Sequence, residues 1–459
     1  MTNEQKIELF ENMPVPNAVI KLSVPTVLSS IIMVLYNLAD TYFVGVLGSP
    51  VQSAAVTLGA PVLLAFNAVI NLFGVGTSAY MSRLLGVRDY KNVRRTAVFG
   101  FYCALVTSLL VSLFCGIFKG GLLGLLGADA ETEKATADYL LWTVICGAAP
   151  SILNLILANM IRSEGESLHA SIGTISGCLL NVALDPLFIM PWGLNMGAAG
   201  AGCATFISNT VACGYFFVFL FVKRGKTYVS LNPKLFAFDK KIAAEVFKVG
   251  IPAAVQNLLN VTGMTVLNNF TAAFGTDAVA AMGITHKINM VPMYFAMGMG
   301  QGIMPLVGYN FASGDSKRMK DSVFFTAKIA GVFIIIATAF FYFDAKNIIK
   351  MFMQNESIVL YGEKFLRGFC LALPFLCVDF LAVGIFQATG MGKESFVFAI
   401  LRKTALEIPA LYILNKIYPL YGLAYSQLCA EIVLAVAAIF VLKRIFRQAE
   451  NNIKDRKNI

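Results

Sequence analysis

Two carboxylates stand inside sequence apolar enough to cross a membrane. In LYNLADTYFVG (35–45) the acid is Asp40, with Tyr36 and Asn37 four and three residues before it. In NVALDP (181–186) it is Asp185, with Asn181 four residues before it and Pro186 directly after. Residues four apart share a face of an α-helix, so each acid has an amide or a phenol beside it. Thr205 and Asn154, in two neighbouring apolar stretches, add a hydroxyl and another amide. A central Asp costs about 2.5–3.5 kcal/mol even on lenient insertion scales, and neither acid has a basic residue within one turn to neutralise it. Two acids among oxygen donors make a site for a proton or a hard monovalent cation. The structural alternative, that each acid serves a backbone group or a distant lysine, is left open by spacing alone.

The elements that must position these residues are long and apolar. Hydrophobic residues make up 58% of the 459 and charged ones 14%, against roughly 25% charged in ordinary soluble domains. Stretches of about 20 or more apolar residues, each enough for a transmembrane helix, recur from 17–46 to 421–445, and we count twelve. The expected fold is therefore an all-α polytopic membrane protein. The net charge of +10 is a topology signal rather than a nucleic-acid footprint. Most of the 36 lysines and arginines, such as Arg83, Arg88, Lys91, Arg94 and Arg95, fall in the even-numbered connections and the terminal segments. By the positive-inside rule both termini are cytoplasmic in a cell membrane. The nine cysteines lie in or beside apolar segments without a C-x-x-C, so neither a disulfide framework nor a zinc site is expected. The first helix is too long for a signal-peptide core and is expected to stay as an anchor.

The chain repeats itself once. VPTVLSS (24–30) matches IPAAVQN (251–257), Gly74-Val75-Gly76 matches Gly300-Gln301-Gly302, and VRDYKN (87–92) matches SGDSKR (313–318). Six spans per unit is an even number, so two six-helix lobes would be related by a pseudo-two-fold axis along the membrane normal. The expected division is an N-lobe over 1–222 carrying the cation site, a basic cytoplasmic linker over 223–241, and a C-lobe over 242–459. Under this alignment Asp40 corresponds to Leu267, so the repeated fold does not itself require an acid there.

Other chemistry fails on the residues. GMGK (390–393) lacks the Gly and the Ser or Thr of a phosphate loop, having Gln387 and Glu394 instead. AMGMGQG (296–302) follows no strand, and its small residues suit close helix packing. No HExxH motif and no long loop offers an enzyme site, so a transporter without cofactor, driven by a proton or sodium gradient, is expected. In the second half, Gln256, Asn257 and Asp379 are candidates for contacting substrate or supporting it. Met290, Met293 and Met297 form one helical stripe, which is either packing or an adaptable wall for apolar ligands. Glu407, four residues after Lys403, is expected to pair with it. Arg162-Ser163-Glu164-Gly165 is expected to cap a helix and contact the gate.

LYNLADTYFVG, MIRSEGESLHA (160–170), LLNVALDPLFI (179–189) and GAAGAGCAT (197–205) together resemble the multidrug and toxic compound extrusion (MATE) family, along nearly the whole chain. The resemblance implies export of drugs and organic cations against entry of H+ or Na+, by alternating access. It places the coupling-cation site on Asp40, Asn181, Asp185 and Thr205. The lack of an acid in segment 7 beyond Glu245 near its start favours a DinF-like, N-lobe-centred mechanism, although Asp379 sits where NorM-like members carry an acid in segment 10. Partners would be small-molecule drugs and membrane lipids, with a monomer as the functional unit and no nucleic acid. The alternatives carried with this reading are a flippase for an amphipathic or lipid-linked metabolite and a passive channel.

Overall fold

The computed structural model describes residues 1–353 and 355–457, and the described residues form helices and connecting turns with no strand. A short helix, α1 (Asn3–Glu11), precedes α2 (Val15–Val46), which contains Pro25. The next span is α3 (Pro50–Ile70), a π-helical segment (Asn71–Val75) and α4 (Gly76–Gly86). Pro50 opens α3 in its first turn, where a missing N–H leaves no bond unmade. α5 (Tyr90–Ile117) starts on Asp89, whose side chain accepts from the Asn92 N–H, and is followed by the short α6 (Lys119–Leu125). α7 (Glu133–Leu140), a second π segment (Leu141–Cys146) and α8 (Ala148–Ser163) make one span bent by 47°. α9 (Ser167–Ile189) and α10 (Ala198–Val222) complete the first half.

The second half repeats this order. α11 (Lys240–Ala272) contains Pro252, and α12 (Thr276–Ser313) is an unbroken 38-residue helix ending on the left-handed Gly314. α13 (Ser316–Phe343) is capped by Asp315, which accepts from the Arg318 N–H as Asp89 does from Asn92. Both capped helices are 28 residues long, and a short helix follows each, here α14 (Ala345–Phe352). α15 (Glu356–Cys370) and α16 (Leu373–Thr389) make a span bent by 46°, the counterpart of the 47° bend. α17 (Gly392–Ile400), a π segment (Leu401–Glu407) and α18 (Ile408–Ile417) form the eleventh span, and α19 (Leu423–Lys457) the twelfth. Eight described helices are individually long and apolar enough to cross a membrane, or ten with the two bent pairs. The eleventh span misses that test because it carries Arg402, Lys403 and Glu407.

The chain forms two compact units, Met1–Leu9 with Ile31–Ala254, and Phe10–Ser30 with Val255–Ile459, so α2 and α11 each contribute to both. Phe99, Ile152, Ile156, Leu157 and Phe216 are fully buried in the first unit, and Phe365 and Phe386 in the second. Large apolar side chains also cover the outside: Phe221 is 76% exposed and Phe343 80%. Apolar surface on this scale is a liability in water and the expected lining toward lipid. Within the second unit, α12 approaches α2 so closely that a Cβ on Gly302 would lie 2.6 Å from the Ser23 Cα. The small residues of 296–302 therefore serve helix packing, as their context suggested.

Candidate cation-binding site

In the first unit α9 and α10 pack along each other, and this contact sets the site. It depends on Gly200, where a Cβ would lie 2.5 Å from the Phe188 carbonyl oxygen. A side chain there would push α10 off the end of α9 and carry Thr205 away with it. With α10 in place, Thr205 faces Asn181. The Asn181 amide oxygen accepts from the Thr205 N–H at 3.0 Å and from its hydroxyl at 3.2 Å, and the amide nitrogen donates to Asp185 Oδ2 at 2.9 Å. Asn181 is 2% exposed and Asp185 is fully buried. The four-residue spacing thus becomes a hydrogen bond along one buried helix face.

α2 closes the site from the other side. Tyr36 hydrogen-bonds Thr205, and Asp40, one turn further on, acts electrostatically on Tyr36, Asp185 and Tyr139. Asp40 is half-buried. Among the described residues no lysine or arginine acts on either acid; the charge that Asp185 feels is that of Asp40. Two carboxylates that repel each other in an apolar bundle, with no resident cation, are relieved by one bound proton or one monovalent ion. Fixed amide and hydroxyl dipoles from Asn181 and Thr205 already surround that position. Among the described residues no group of three or more His, Cys, Asp and Glu side chains could hold a metal ion, so a metal ion here would rely on the neutral oxygens as well.

The structure joins Tyr36, Asp40, Asn181, Asp185 and Thr205, and leaves two other first-unit candidates outside the group. Asn37 is exposed. Asn154 donates to Asn209 Oδ1 at 3.1 Å, and Asn209 donates to Ser151 Oγ at 3.0 Å, a separate polar chain. The remaining candidates belong to the second unit. Gln256, Asn257, Met290 and Met293 are half-buried there, and Asn257 Oδ1 is buried without a hydrogen-bond partner. Asp379 is 1% exposed and faces Arg402, whose Nη1 lies 3.4 Å from its Oδ2. Lys403 and Glu407 pair at 2.6 Å, as their spacing indicated.

Three features escaped the sequence reading. Tyr139 has no local signal, because nothing in α7 marks which turn meets α2. Arg402, paired with Glu431 at 2.6 Å, was legible as a second basic residue inside an apolar segment. Lys6 is 2% exposed and meets the fully buried Glu164 at 3.0 Å. Glu164 also accepts from the Thr227 hydroxyl and the Tyr228 N–H, both at 2.7 Å, so the RSEG turn holds α1 and the 223–239 connection together.

A helical membrane protein with an internal six-span repeat and an unneutralised acid pair within its bundle has the build of a secondary transporter. The chain belongs to the MatE family, whose model matches it twice, over residues 25–187 and 252–413. The two matches begin at Pro25 and Pro252, the prolines that open the repeat. The chain is similar to the multidrug export protein MepA of Staphylococcus aureus (strain MRSA252), 33% identical over 441 residues, 96% of each chain. It is equally similar to MepA of Staphylococcus haemolyticus (strain JCSC1435), 33% identical over 442 residues, again 96% of each. Among solved structures, it matches a MATE in complex with MaL6 with a TM-score of 0.91 at 25% identity, covering 97% of this chain and 99% of that one. An outward-facing multidrug resistance MATE family transporter of the MOP superfamily matches with the same TM-score and coverage at 24% identity, a likeness of fold.

Proposed function

We propose that this chain is a secondary active multidrug antiporter that exports organic, mostly cationic, compounds in exchange for H+ or Na+. The observation that carries this reading is the pair Asp40 and Asp185, which share a field and have no basic partner among the described residues. Loading the pair with one cation removes their repulsion and biases the surrounding helices toward one access state. A drug cation that favours the unloaded state then opposes the ion, and that opposition is antiport. The names of the MepA relatives support multidrug compounds as the cargo. In this reading residues 1–222 act as the lobe with the coupling site and 242–459 as its partner lobe, joined by the cytoplasmic linker 223–241. Both termini are cytoplasmic in the cell membrane, the functional unit is a monomer, and the only cofactor is the coupling ion. The one acid of α11, Glu245 near its start, pairs with Arg83, and Asp379 already faces a guanidinium, which favours a DinF-like cycle centred on the first lobe.

The test is drug efflux from proteoliposomes with the proton and sodium gradients imposed separately. Efflux driven by one of them and lost in Asp40→Asn is expected. Efflux indifferent to both gradients would overturn antiport, and movement of a lipid-linked probe instead of a cationic dye would point to the flippase alternative.

A further inference from the structure

Beyond the end of α5 remote from its Asp89 cap, α6 and α7 enclose an open groove of about 410 Å3, within the roughly 300–1,000 Å3 of small-molecule sites. Its charged lining has both signs: Lys119 and Lys134, Glu133 and Asp138. Lys134 and Asp138 stand four residues apart on α7, a spacing at which opposite charges can meet. Yet among the described residues none of the four side chains is held in an ion pair or a hydrogen bond. Asp129, in the same connection, is by contrast taken up, accepting from the Thr132 hydroxyl at 2.7 Å and the Thr132 N–H at 2.9 Å.

The groove adjoins apolar surface. Ile117 at the end of α5, Phe118 after it and Leu125 of α6 are 67%, 55% and 84% exposed, the lining expected toward lipid rather than water. Two bases and two acids sum to zero, so the matching ligand is neutral overall and carries one group of each sign. The flanking surface asks in addition for an apolar body.

We propose that this groove binds the headgroup of a zwitterionic phospholipid with a primary ammonium, its phosphate toward the lysines, its ammonium toward the carboxylates and its acyl chains along the end of α5. A primary ammonium offers N–H donors that carboxylates accept; a quaternary ammonium has none. An anionic headgroup would satisfy the lysines and leave the two carboxylates unmatched. With the termini cytoplasmic, as proposed above, the groove opens toward the outer leaflet. Asp138 directly precedes Tyr139, on which Asp40 and Asp185 act, so the lipid and the coupling acids meet successive side chains of one helix. That link to transport rests on the antiport reading. The lipid site itself is measured without drug or gradient.

Native mass spectrometry of the full-length protein in mild detergent, offered phosphatidylethanolamine, phosphatidylcholine and phosphatidylglycerol with the same acyl chains, reads lipid retention. Phosphatidylethanolamine is expected to be retained most. Lys119→Gln should lower retention of the ethanolamine and choline lipids together, by about fivefold, whereas Asp138→Asn should erase the difference between them. Gly120→Phe should exclude all three, because a Cβ on Gly120 meets nothing within 4 Å and the ring can enter the groove without displacing a neighbour. Equal retention of the three lipids by the wild type overturns the proposal, as does ethanolamine-lipid retention unmoved by the three changes. Displacement by glycerophosphoethanolamine as strong as by the intact lipid would assign the groove to a soluble zwitterion and overturn the lipid. Gradient-driven efflux without selective retention sinks the lipid site alone; selective retention without gradient-driven efflux sinks the antiport reading alone.

Discussion

Asp185 is completely buried, and the charge acting on it is that of Asp40, a second acid from a different helix. Structural acids in a membrane bundle ordinarily face a base, as Asp379 and Glu431 face Arg402. Among the described residues the pair in the first unit meets neutral groups: the Asn181 amide donates to Asp185, and the Thr205 hydroxyl and the Tyr36 phenol stand behind that amide. That is an arrangement with room for a passing charge rather than a resident one.

Asp40→Asn should therefore insert and fold, because it removes repulsion, and should lose gradient-driven efflux by about tenfold or more. Asp185→Asn should do the same. The double variant should be little worse than either single one, with a coupling energy in the ~0.5–3 kcal/mol range of residues sharing a network. Additive losses, or wild-type efflux with unchanged ion dependence in Asp40→Asn, would remove the site from these residues.

Thr205→Val keeps the shape of the side chain and removes the hydroxyl that joins Tyr36 to Asn181. The backbone bond from Thr205 to Asn181 stays, so folding should survive. The lost bond leaves Asn181 less firmly oriented, a cost of about 1 kcal/mol and a several-fold drop in efflux. Thr205→Ser should restore most of it. If valine and serine behave alike in initial-rate assays, the hydroxyl has no part in the site.

Much of this was legible in the sequence because membrane helices write their rules plainly. The length of the apolar runs fixed the spans, and the repeated prolines and the paired caps Asp89 and Asp315 betrayed the duplication. Asn181 and Asp185 could be placed together because they share one helix. Contacts between helices were less legible. Tyr139 reaches the acids and Asn154 turns toward Asn209 through packing angles that no local pattern encodes. Arg402 and Glu431 lie 29 residues apart on different helices, and only the improbability of a lone buried charge hinted that they meet.

Lys6 and Glu164 test the cytoplasmic arrangement inferred from the basic connections. Lys6→Met leaves a fully buried Glu164 with the Thr227 and Tyr228 donors but no cation. Removing one partner of a buried pair costs about 3–5 kcal/mol, so thermal unfolding in detergent should begin several degrees lower. Lys6→Met/Glu164→Gln should recover part of the loss, since the charge goes with its partner. Equal unfolding temperatures for the wild type and Lys6→Met would show that the pair contributes nothing.

Topology can be read directly. A reporter fused after Lys226, in the basic connection between α10 and α11, should register the cytoplasmic side. An external signal would overturn the assignment of the termini and, with it, the positive-inside argument.

Met290, Met293 and Met297 lie half-buried on one stripe of α12, and their fate separates packing from recognition. Thioether side chains are unbranched and polarizable, so a wall built from them reshapes around different apolar ligands at little cost. If the stripe touches cargo, replacing all three with alanine should redistribute efflux among dyes and drugs, weakening large aromatic substrates most. Its dependence on the driving gradient should stay unchanged, because the acids proposed to couple transport lie on α2 and α9. If the stripe is packing, the loss of half-buried side chains should instead lower the unfolding temperature and reduce every substrate by the same factor. Comparing the ratio of rates for three unlike substrates, rather than any single rate, distinguishes the two. A constant ratio would assign the methionines to the core of the second unit and leave the drug-binding wall to be sought elsewhere.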